Sequence, residues 1–108
     1  MTMTRGEVWW VSFDPSVGTE IRKTRPAVIV SSDGANRRLR GVVVVPLTTN
    51  VERIYPGQAA VMVDGRAGKA RADQIKAVDK ARLRSRIARL TDDELSRVET
   101  AIRQHLGL

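Results

Sequence analysis

Cysteine is absent from the 108-residue sequence. A chain without cysteine has no disulfide, no thiolate zinc site and no cysteine nucleophile, and a reducing cytoplasm is its expected compartment. The first residues are polar, without the apolar segment of a signal peptide. No run approaches the roughly 20 apolar residues that cross a bilayer. We therefore expect a soluble, cytoplasmic protein that does not bind membranes.

Histidine is nearly absent as well, which narrows the possible chemistry. His105 is the only histidine, and it falls at the end of a predicted helix, where a cation complements the helix dipole. A nuclease that uses two histidines is therefore excluded. Carboxylates such as Asp33 and Asp79 are scattered singly, which disfavours a two-metal mechanism without removing it. No phosphate-binding glycine loop or serine nucleophile elbow occurs, and we expect no metal and no cofactor.

Aromatic residues are few, and most of them are close together. Trp9, Trp10 and Phe13 lie in one predicted strand, where we expect them to serve core or dimer packing, and Tyr55 is separate. A non-catalytic RNA-binding barrel usually displays aromatic stacking platforms. The scarcity of aromatics weighs against that class.

Positive charge, by contrast, is abundant. The chain has 19 lysines and arginines against 12 acids, a net charge of +7, and only four of the cations are lysines. Residues 1–90 alone contain 17 cations and 8 acids, a net charge of +9. Because arginine binds phosphate through two parallel hydrogen bonds, this composition suits a polyanion partner. A merely solubilising surface explains the composition equally well.

Short β-rich segments fill most of the chain. Strands are predicted at residues 7–13, 27–30, 42–45, 59–63, 69–75 and 86–90. The valine run at 42–45 is predicted to end at Pro46, and a turn is predicted at 31–34. Apolar residues then recur at helical spacing from Thr91 to Leu108, with a Thr91–Glu94 capping box and Gly107 as the stop. The pattern predicts one domain, 1–108, mainly β, a small closed or nearly closed barrel with a C-terminal α-helix.

Chemistry without a metal or a protein nucleophile remains available if RNA is the substrate. The 2′-hydroxyl of RNA can attack the adjacent phosphate when protein groups move protons and stabilise the oxyanion. Arg25, next to the rigid Pro26 where a loop enters a strand, and Thr48, just beyond another strand, are placed for this work. The alternative is that Arg25 is an edge-strand charge and Thr48 a turn hydroxyl.

Six short motifs occur in order along nearly the whole chain. They read RGEVW at 5–9, DP and GTE within 14–20, RPAVIV at 25–30, VPLTT at 45–49, YP at 55–56 and ADQIK at 72–76. In this order and spacing they resemble the MazF family of endoribonuclease toxins, also called the PemK or Kid type. The resemblance implies an SH3-like barrel of the CcdB/PemK type with a C-terminal helix. It also implies a homodimer that cleaves single-stranded RNA without metal, leaving 2′,3′-cyclic phosphate and 5′-hydroxyl ends, and a MazE-like antitoxin with an acidic, disordered segment.

The resemblance also implies roles for individual residues. Arg25 and Thr48 match the family's catalytic arginine and its threonine or serine. Glu20 matches a loop acid that serves either as general base or as a brace that orders the loop through a backbone N–H. RNA contacts are expected from one further set of residues: Thr19, Arg22, Lys23, Thr49, Asn50, Arg53 and Gln74.

A CcdB-like topoisomerase poison is the alternative from another class, because that toxin shares the barrel and acts by binding a protein. The fold cannot separate the two functions. Arg25 and Thr48 discriminate between them, because an RNA-cleaving enzyme needs such a pair and a topoisomerase-binding protein does not.

Overall fold

A computed structural model describes residues 2–108 of the chain. Within these residues the chain forms seven strands and two α-helices, with two short 3-10 turns at Ala72–Gln74 and Lys80–Arg82. In chain order the elements are β1 (Glu7–Ser12), β2 (Thr24–Ile29), α1 (Asp33–Arg38), β3 (Gly41–Thr48), β4 (Gln58–Val63), β5 (Arg66–Arg71), β6 (Lys76–Asp79), β7 (Leu83–Arg89) and α2 (Asp92–Leu106). Neither helix in the described part of the chain is long and apolar enough to span a membrane.

The strands form one curled antiparallel sheet. Their order is β4-β5-β3-β2-β1-β7, and β6 pairs with β3 beside this path. Twist between neighbouring strands curls the sheet into a half-barrel, with β4 and β7 as its two ends. The mainly β, barrel-like fold with a C-terminal helix is therefore confirmed.

Each face of the sheet packs its own apolar cluster, because side chains alternate along a strand. Val8 and Val28 belong to the cluster on the face that also packs α2 residues such as Val98. Trp9 and Ala27, one position away, belong to the second cluster with other β-strand residues. A one-residue shift in register would exchange the two sets, so this alternation fixes the register of β1 against β2.

Helix α2 begins and ends as its sequence predicts. The Thr91 hydroxyl accepts a hydrogen bond from the Glu94 N–H, and the Glu94 side chain accepts one from the Thr91 N–H. Gly107 ends the helix in the left-handed conformation, at φ 71°. Glu94 also accepts a hydrogen bond of 2.5 Å from the N–H of Met62, and Arg97 donates to the carbonyl of Ala60. Helix α2 thus covers the outer edge of β4.

Pro46 does not end β3, contrary to the sequence prediction, and the strand continues to Thr48. On one side Pro46 pairs with Ala27 of β2. On the other side β3 changes partner there, because its ladder with β6 stops at Val44 and its ladder with β5 starts at Leu47. A residue without an N–H is tolerated at such a break in the ladder.

Three other local predictions differ from the structure. Residues 33–38, predicted to start as a turn, form α1, whose N-cap Ser32 accepts a hydrogen bond from the Ala35 N–H. The strand predicted at 69–75 is β5 followed by the 3-10 turn, and β6 was not predicted. The last strand starts at Leu83 instead of Arg86. In the two strand cases contacts with the rest of the sheet outweigh weak local propensity, whereas α1 is stabilised by its local N-cap.

Candidate functional site

Arg25 and Thr48 lie at the ends of neighbouring strands. The β2–β3 ladder pairs Ala27 with Pro46, and continuing this register by two residues sets Arg25 opposite Thr48. Opposite residues of an antiparallel pair project from the same face of the sheet and are close neighbours. The two residues singled out from sequence are therefore brought together by the strand register.

Both residues line a cleft of about 400 Å³ at the mouth of the half-barrel. Thr49 lines it as well, and so do apolar residues such as Leu47 and Ile87. The cleft has charged residues from the β4–β5 hairpin, Asp64 and Arg66, in its lining. The cleft therefore combines apolar residues with an arginine, two hydroxyls and a carboxylate. Such groups can bind a phosphodiester and transfer a proton.

The backbone around Thr48 is closely packed. The Thr48 Oγ1 accepts a hydrogen bond of 3.3 Å from the N–H of Asn50, which lies in the exposed segment that follows β3. Across the ladder, a Cβ added to Gly68 would lie 3.0 Å from the Thr48 carbonyl oxygen. Glycine at this position therefore lets β5 approach Thr48 closely.

Glu20 and Gln74 lie in a second depression, of about 270 Å³, which the structure separates from the Arg25–Thr48 cleft. The Gln74 Oε1 accepts from the N–H of Ile21 at 3.3 Å, and its Nε2 donates to the carbonyl of Thr19 at 3.5 Å. Gln74 therefore contacts the β1–β2 loop, as does Lys76, whose ammonium lies 3.4 Å from Glu20. In this conformation Gln74 and Lys76, which line the depression, hold the β1–β2 loop in place.

The Glu20 carboxylate is occupied by partners of its own chain. Its Oε1 accepts a 2.7 Å hydrogen bond from the N–H of Val17. This bond, and then the ammonium of Lys76, lower the pKa of the Glu20 carboxyl below its ordinary value of 4.5. A carboxylate with a lowered pKa is a weaker base, so the local geometry fits the loop-ordering role better than the general-base role.

Arg22 and Lys23 complete the loop that leads to Arg25. Arg22 is exposed and donates to the carbonyl of Gly18 at 3.0 Å, while Arg25 donates from Nε to the carbonyl of Arg22 at 3.4 Å. Lys23 is exposed and has a φ of 64°. The loop cations thus remain accessible, and the loop backbone is tied to Arg25.

Sequence reasoning missed several residues of the cleft. Trp10 was expected in the core or at a dimer interface; it is 41% exposed and lines the cleft, so it is not a core residue, whereas Trp9 and Phe13 are buried. The place of Trp10 at a dimer interface stays a prediction. Its cross-strand partner is Pro26, next to Arg25. The alternation of β1 could have separated Trp10 from Trp9. Asp64 and Arg66 had no sequence signal beyond a hairpin turn.

Among residues 2–108, no three histidine or carboxylate side chains gather into a group that could hold a metal ion.

Comparison with proteins of similar sequence identifies the family of the chain. The profile of the family described as "PemK-like, MazF-like toxin of type II toxin-antitoxin system" matches residues 4–106. The chain belongs to this toxin family. It is 41% identical to endoribonuclease MazF9 of Mycobacterium tuberculosis, over 98% of both chains. It is 39% identical to endoribonuclease PemK of Escherichia coli, over 89% of this chain and 76% of PemK.

Solved structures agree with this membership. A mycobacterial endoribonuclease in complex with its cognate antitoxin superposes with a TM-score of 0.83 at 28% identity, over 98% of this chain and 96% of that chain. MazF from Deinococcus radiodurans shares the fold with a TM-score of 0.88 at 24% identity, over 100% and 99% of the two chains. The predicted family is confirmed, and the endoribonuclease relatives do not favour the topoisomerase-poison alternative.

Proposed function

We propose that this toxin is an endoribonuclease that cuts single-stranded RNA, such as mRNA, at the Arg25–Thr48 cleft. The observation that carries the proposal is that Arg25 and Thr48 line one cleft, as expected when the β2–β3 register is continued beyond its last pair. Family membership and the names of the curated relatives support the reaction class.

The cleavage step uses the nucleophile of the RNA itself. The 2′-oxygen loses its proton and attacks the adjacent phosphorus, the bond to the 5′-oxygen breaks, and that oxygen takes up a proton from solvent water. The products are a 2′,3′-cyclic phosphate and a 5′-hydroxyl. Arg25 stabilises the charge that develops on the phosphoryl oxygens, and Thr48 positions the scissile group. No metal takes part in this scheme.

A carboxylate is the natural acceptor of the 2′-hydroxyl proton. Asp64 lines the cleft, whereas Glu20 lies in the neighbouring depression and is held by Val17 and Lys76. We therefore assign proton acceptance to Asp64 and loop ordering to Glu20. The role of Glu20 is tested separately below.

RNA contacts extend from the cleft along its basic rim. Trp10 offers an exposed indole that lines the same cleft as Arg25, and a base stacked on an aromatic side chain contributes about 1–3 kcal/mol of binding. Thr49 and Asn50 follow Thr48, and the loop residues Thr19, Arg22 and Lys23 lie on the side of Arg25. We propose Arg53 and Gln74 as more distant contacts, and the Gln74 amide has to share or release its bonds to Ile21 and Thr19 to make one.

An acidic, disordered segment of a MazE-like antitoxin is the proposed inhibitor. A net charge of +9 over residues 1–90 favours capture of any extended polyanion, and the mycobacterial neighbour was solved with its cognate antitoxin. Such a segment orders itself on binding and competes with RNA for the same surface. Simultaneous tight binding of RNA and antitoxin peptide to an Arg25→Ala variant would contradict shared binding.

Incubation of the pure protein with a long RNA in EDTA tests the proposed function. We expect cleavage with cyclic phosphate ends, read by mass spectrometry, and an inert substrate when a single 2′-deoxy nucleotide replaces the residue at the cut. Normal cutting of the 2′-deoxy substrate would overturn the mechanism. Loss of cutting in EDTA that Mg²⁺ restores would overturn its metal independence.

A further inference from the structure

Lys69 of β5 lies next to Thr48 in the sheet. The β3–β5 ladder pairs Thr48 with Lys69, so their side chains project from the same face. The register of β2 and β3 sets Arg25 on the other side of Thr48. The threonine is therefore the middle residue of a cross-strand row that has a basic residue at each end.

Unlike most lysines, Lys69 is buried. Only 7% of its surface is exposed, although lysine is almost never buried without a partner. Its ammonium donates a 2.9 Å hydrogen bond to the backbone carbonyl of Arg53 and lies 5.9 Å from the centre of the Tyr55 ring. Both partners belong to the segment between β3 and β4, residues 49–57, which we call the 49–57 loop.

The 49–57 loop has few other attachments in its middle. Residues 49–56 are exposed, and Tyr55 itself is 53% exposed. At its start the loop donates the Asn50 N–H to the Thr48 hydroxyl, and near its end the Tyr55 N–H donates to the side chain of Gln58. Lys69 therefore holds the centre of a loop whose first residues fix the orientation of the Thr48 side chain.

We infer that Lys69 is a positioning residue for RNA cleavage, which holds the 49–57 loop on the sheet and thereby orients the Thr48 hydroxyl. The kinetic part of this inference rests on the proposed function. Misplacement of a reacting group by about 1 Å can cost up to about 10²-fold in rate. Loss of the Lys69 anchor is therefore expected to act mainly on kcat, through Thr48.

Lys69→Met tests the inference, because methionine keeps the apolar stem and removes the donor. We expect kcat for RNA cleavage to fall about 10-fold with a smaller change in KM, and Lys69→Arg, which keeps a donor and a charge, to restore most of the rate. Lys80→Met is the matched control, because Lys80 also donates to a backbone carbonyl, that of Asn36, away from the cleft. The control is expected to cleave normally.

A second readout reports on the loop whether or not RNA is cut. Tyr55 is the only tyrosine of the chain, so incorporation of 3-fluorotyrosine gives a single ¹⁹F resonance. Lys69→Met is expected to shift and narrow this resonance, and Lys80→Met to leave it unchanged. If Lys69→Met does not fold, Lys69→Leu replaces it, since leucine is apolar and also lacks the donor.

Two results would overturn the inference. One is an unchanged ¹⁹F resonance and an unchanged kcat in a folded variant that lacks the donor, Lys69→Met or Lys69→Leu. The other is an equal loss of rate from Lys69→Met in the native and Thr48→Ala backgrounds, since a residue that acts through Thr48 has no effect once Thr48 is removed. If the native protein does not cut RNA but the ¹⁹F resonance shifts as expected, the proposed function fails and the loop anchor stands.

Discussion

The proposed reaction uses a few side chains that the fold of the sheet brings together. Arg25 and Thr48 are 23 positions apart in sequence, and both line one cleft because their strands β2 and β3 are neighbours. Neither residue packs in the apolar clusters of the sheet. Substitution of either residue should therefore affect the reaction far more than the fold.

Arg25→Ala and Thr48→Ala are each expected to lower the rate of RNA cleavage by at least ~10²-fold, the scale for loss of one preorganised oxyanion or proton-transfer group. Circular dichroism and thermal melting should change little. Arg84→Ala serves as the control for lost positive charge, because Arg84 is an exposed arginine of β7 whose guanidinium donates to the Ala81 carbonyl. Near-normal rates in both site variants would show that the reaction occurs elsewhere.

Substitution of Glu20 gives a sharper test, because Glu20→Gln is expected to have a different effect on the rate under each of its two candidate roles. Glutamine can still accept from the Val17 N–H, although it loses the ion pair with Lys76. If Glu20 orders the loop, Glu20→Ala should slow cleavage and Glu20→Gln should retain most of the rate, with an unchanged pH–rate profile. An equally inactive Glu20→Gln that has lost the acidic limb of that profile would identify Glu20 as the base instead.

The site was only partly predictable from sequence, and the reason is geometric. Arg25 and Thr48 could be named because each follows or precedes a readable strand and matches a family motif. Lys69 and Asp64 could not, since their roles depend on which strands pair, and pairing partners far apart in sequence leave no local signal. Gln74 was named for RNA, yet its side chain contacts the β1–β2 loop.

Among the secondary-structure elements, α2 was the easiest to predict. Its capping box, apolar spacing and terminal glycine are local signals that all agree, and each is found in the structure. The strands β5 and β6 were harder, because residues 66–79 mix small and charged residues and take their conformation from β3 and β4. Local signals therefore predicted the helix, and the sheet partners set the boundaries of the strands.

Thr91→Ala removes one half of the capping box and leaves the apolar stripe of α2 intact. The loss of an N-cap of this kind costs about 1 kcal/mol, which corresponds to a fall in Tm of about 4–8 °C for a chain of this size. Thr100→Ala is the control, because Thr100 is an exposed threonine within the same helix. A Tm that falls no further for Thr91→Ala than for Thr100→Ala would contradict the contribution of the cap.

For the whole molecule, four carboxyl groups make stability dependent on pH. Asp33 and Glu94 illustrate the cause. A hydrogen bond from the Arg5 N–H lowers the pKa of Asp33, and at Glu94 burial raises the pKa but hydrogen bonds from Thr91 and Met62 lower it by more. The pKa values of Glu7 and Glu20 are also lowered.

The sign of the pH effect follows from these lowered values. A group whose folded pKa is below its unfolded pKa stabilises the fold above the unfolded value, here 4.5 for glutamate and 3.8 for aspartate, and this stabilisation is lost as the pH falls through the folded value. Urea unfolding can be monitored by tryptophan fluorescence at a series of pH values. The free energy of unfolding should be constant from about pH 7 to 5 and should decline below about pH 4.5. A free energy that increases between pH 5 and 3 would contradict these shifts.

Association is the second property of the whole molecule that can be measured. A barrel this small leaves apolar strand surface uncovered, and a groove at a two-fold interface is longer than one subunit provides. We therefore expect light scattering to give twice the 12.0 kDa chain mass at micromolar concentration. A stable monomer that cleaves RNA would show that one subunit holds the complete site.

The path β4-β5-β3-β2-β1-β7 ends in two edge strands, and these differ in how they are protected. Along β4, the Met62 N–H and the Ala60 carbonyl bond to Glu94 and Arg97 of α2, so that edge has lost backbone groups to which another chain could add. Along β7, which pairs with β1 in the part of the chain described, exposed arginines such as Arg84 interrupt the apolar pattern. Charges on an edge strand oppose its stacking against a second copy. We therefore expect β4 and β7 to resist amyloid-like growth, β4 by its occupied backbone groups and β7 by electrostatic repulsion.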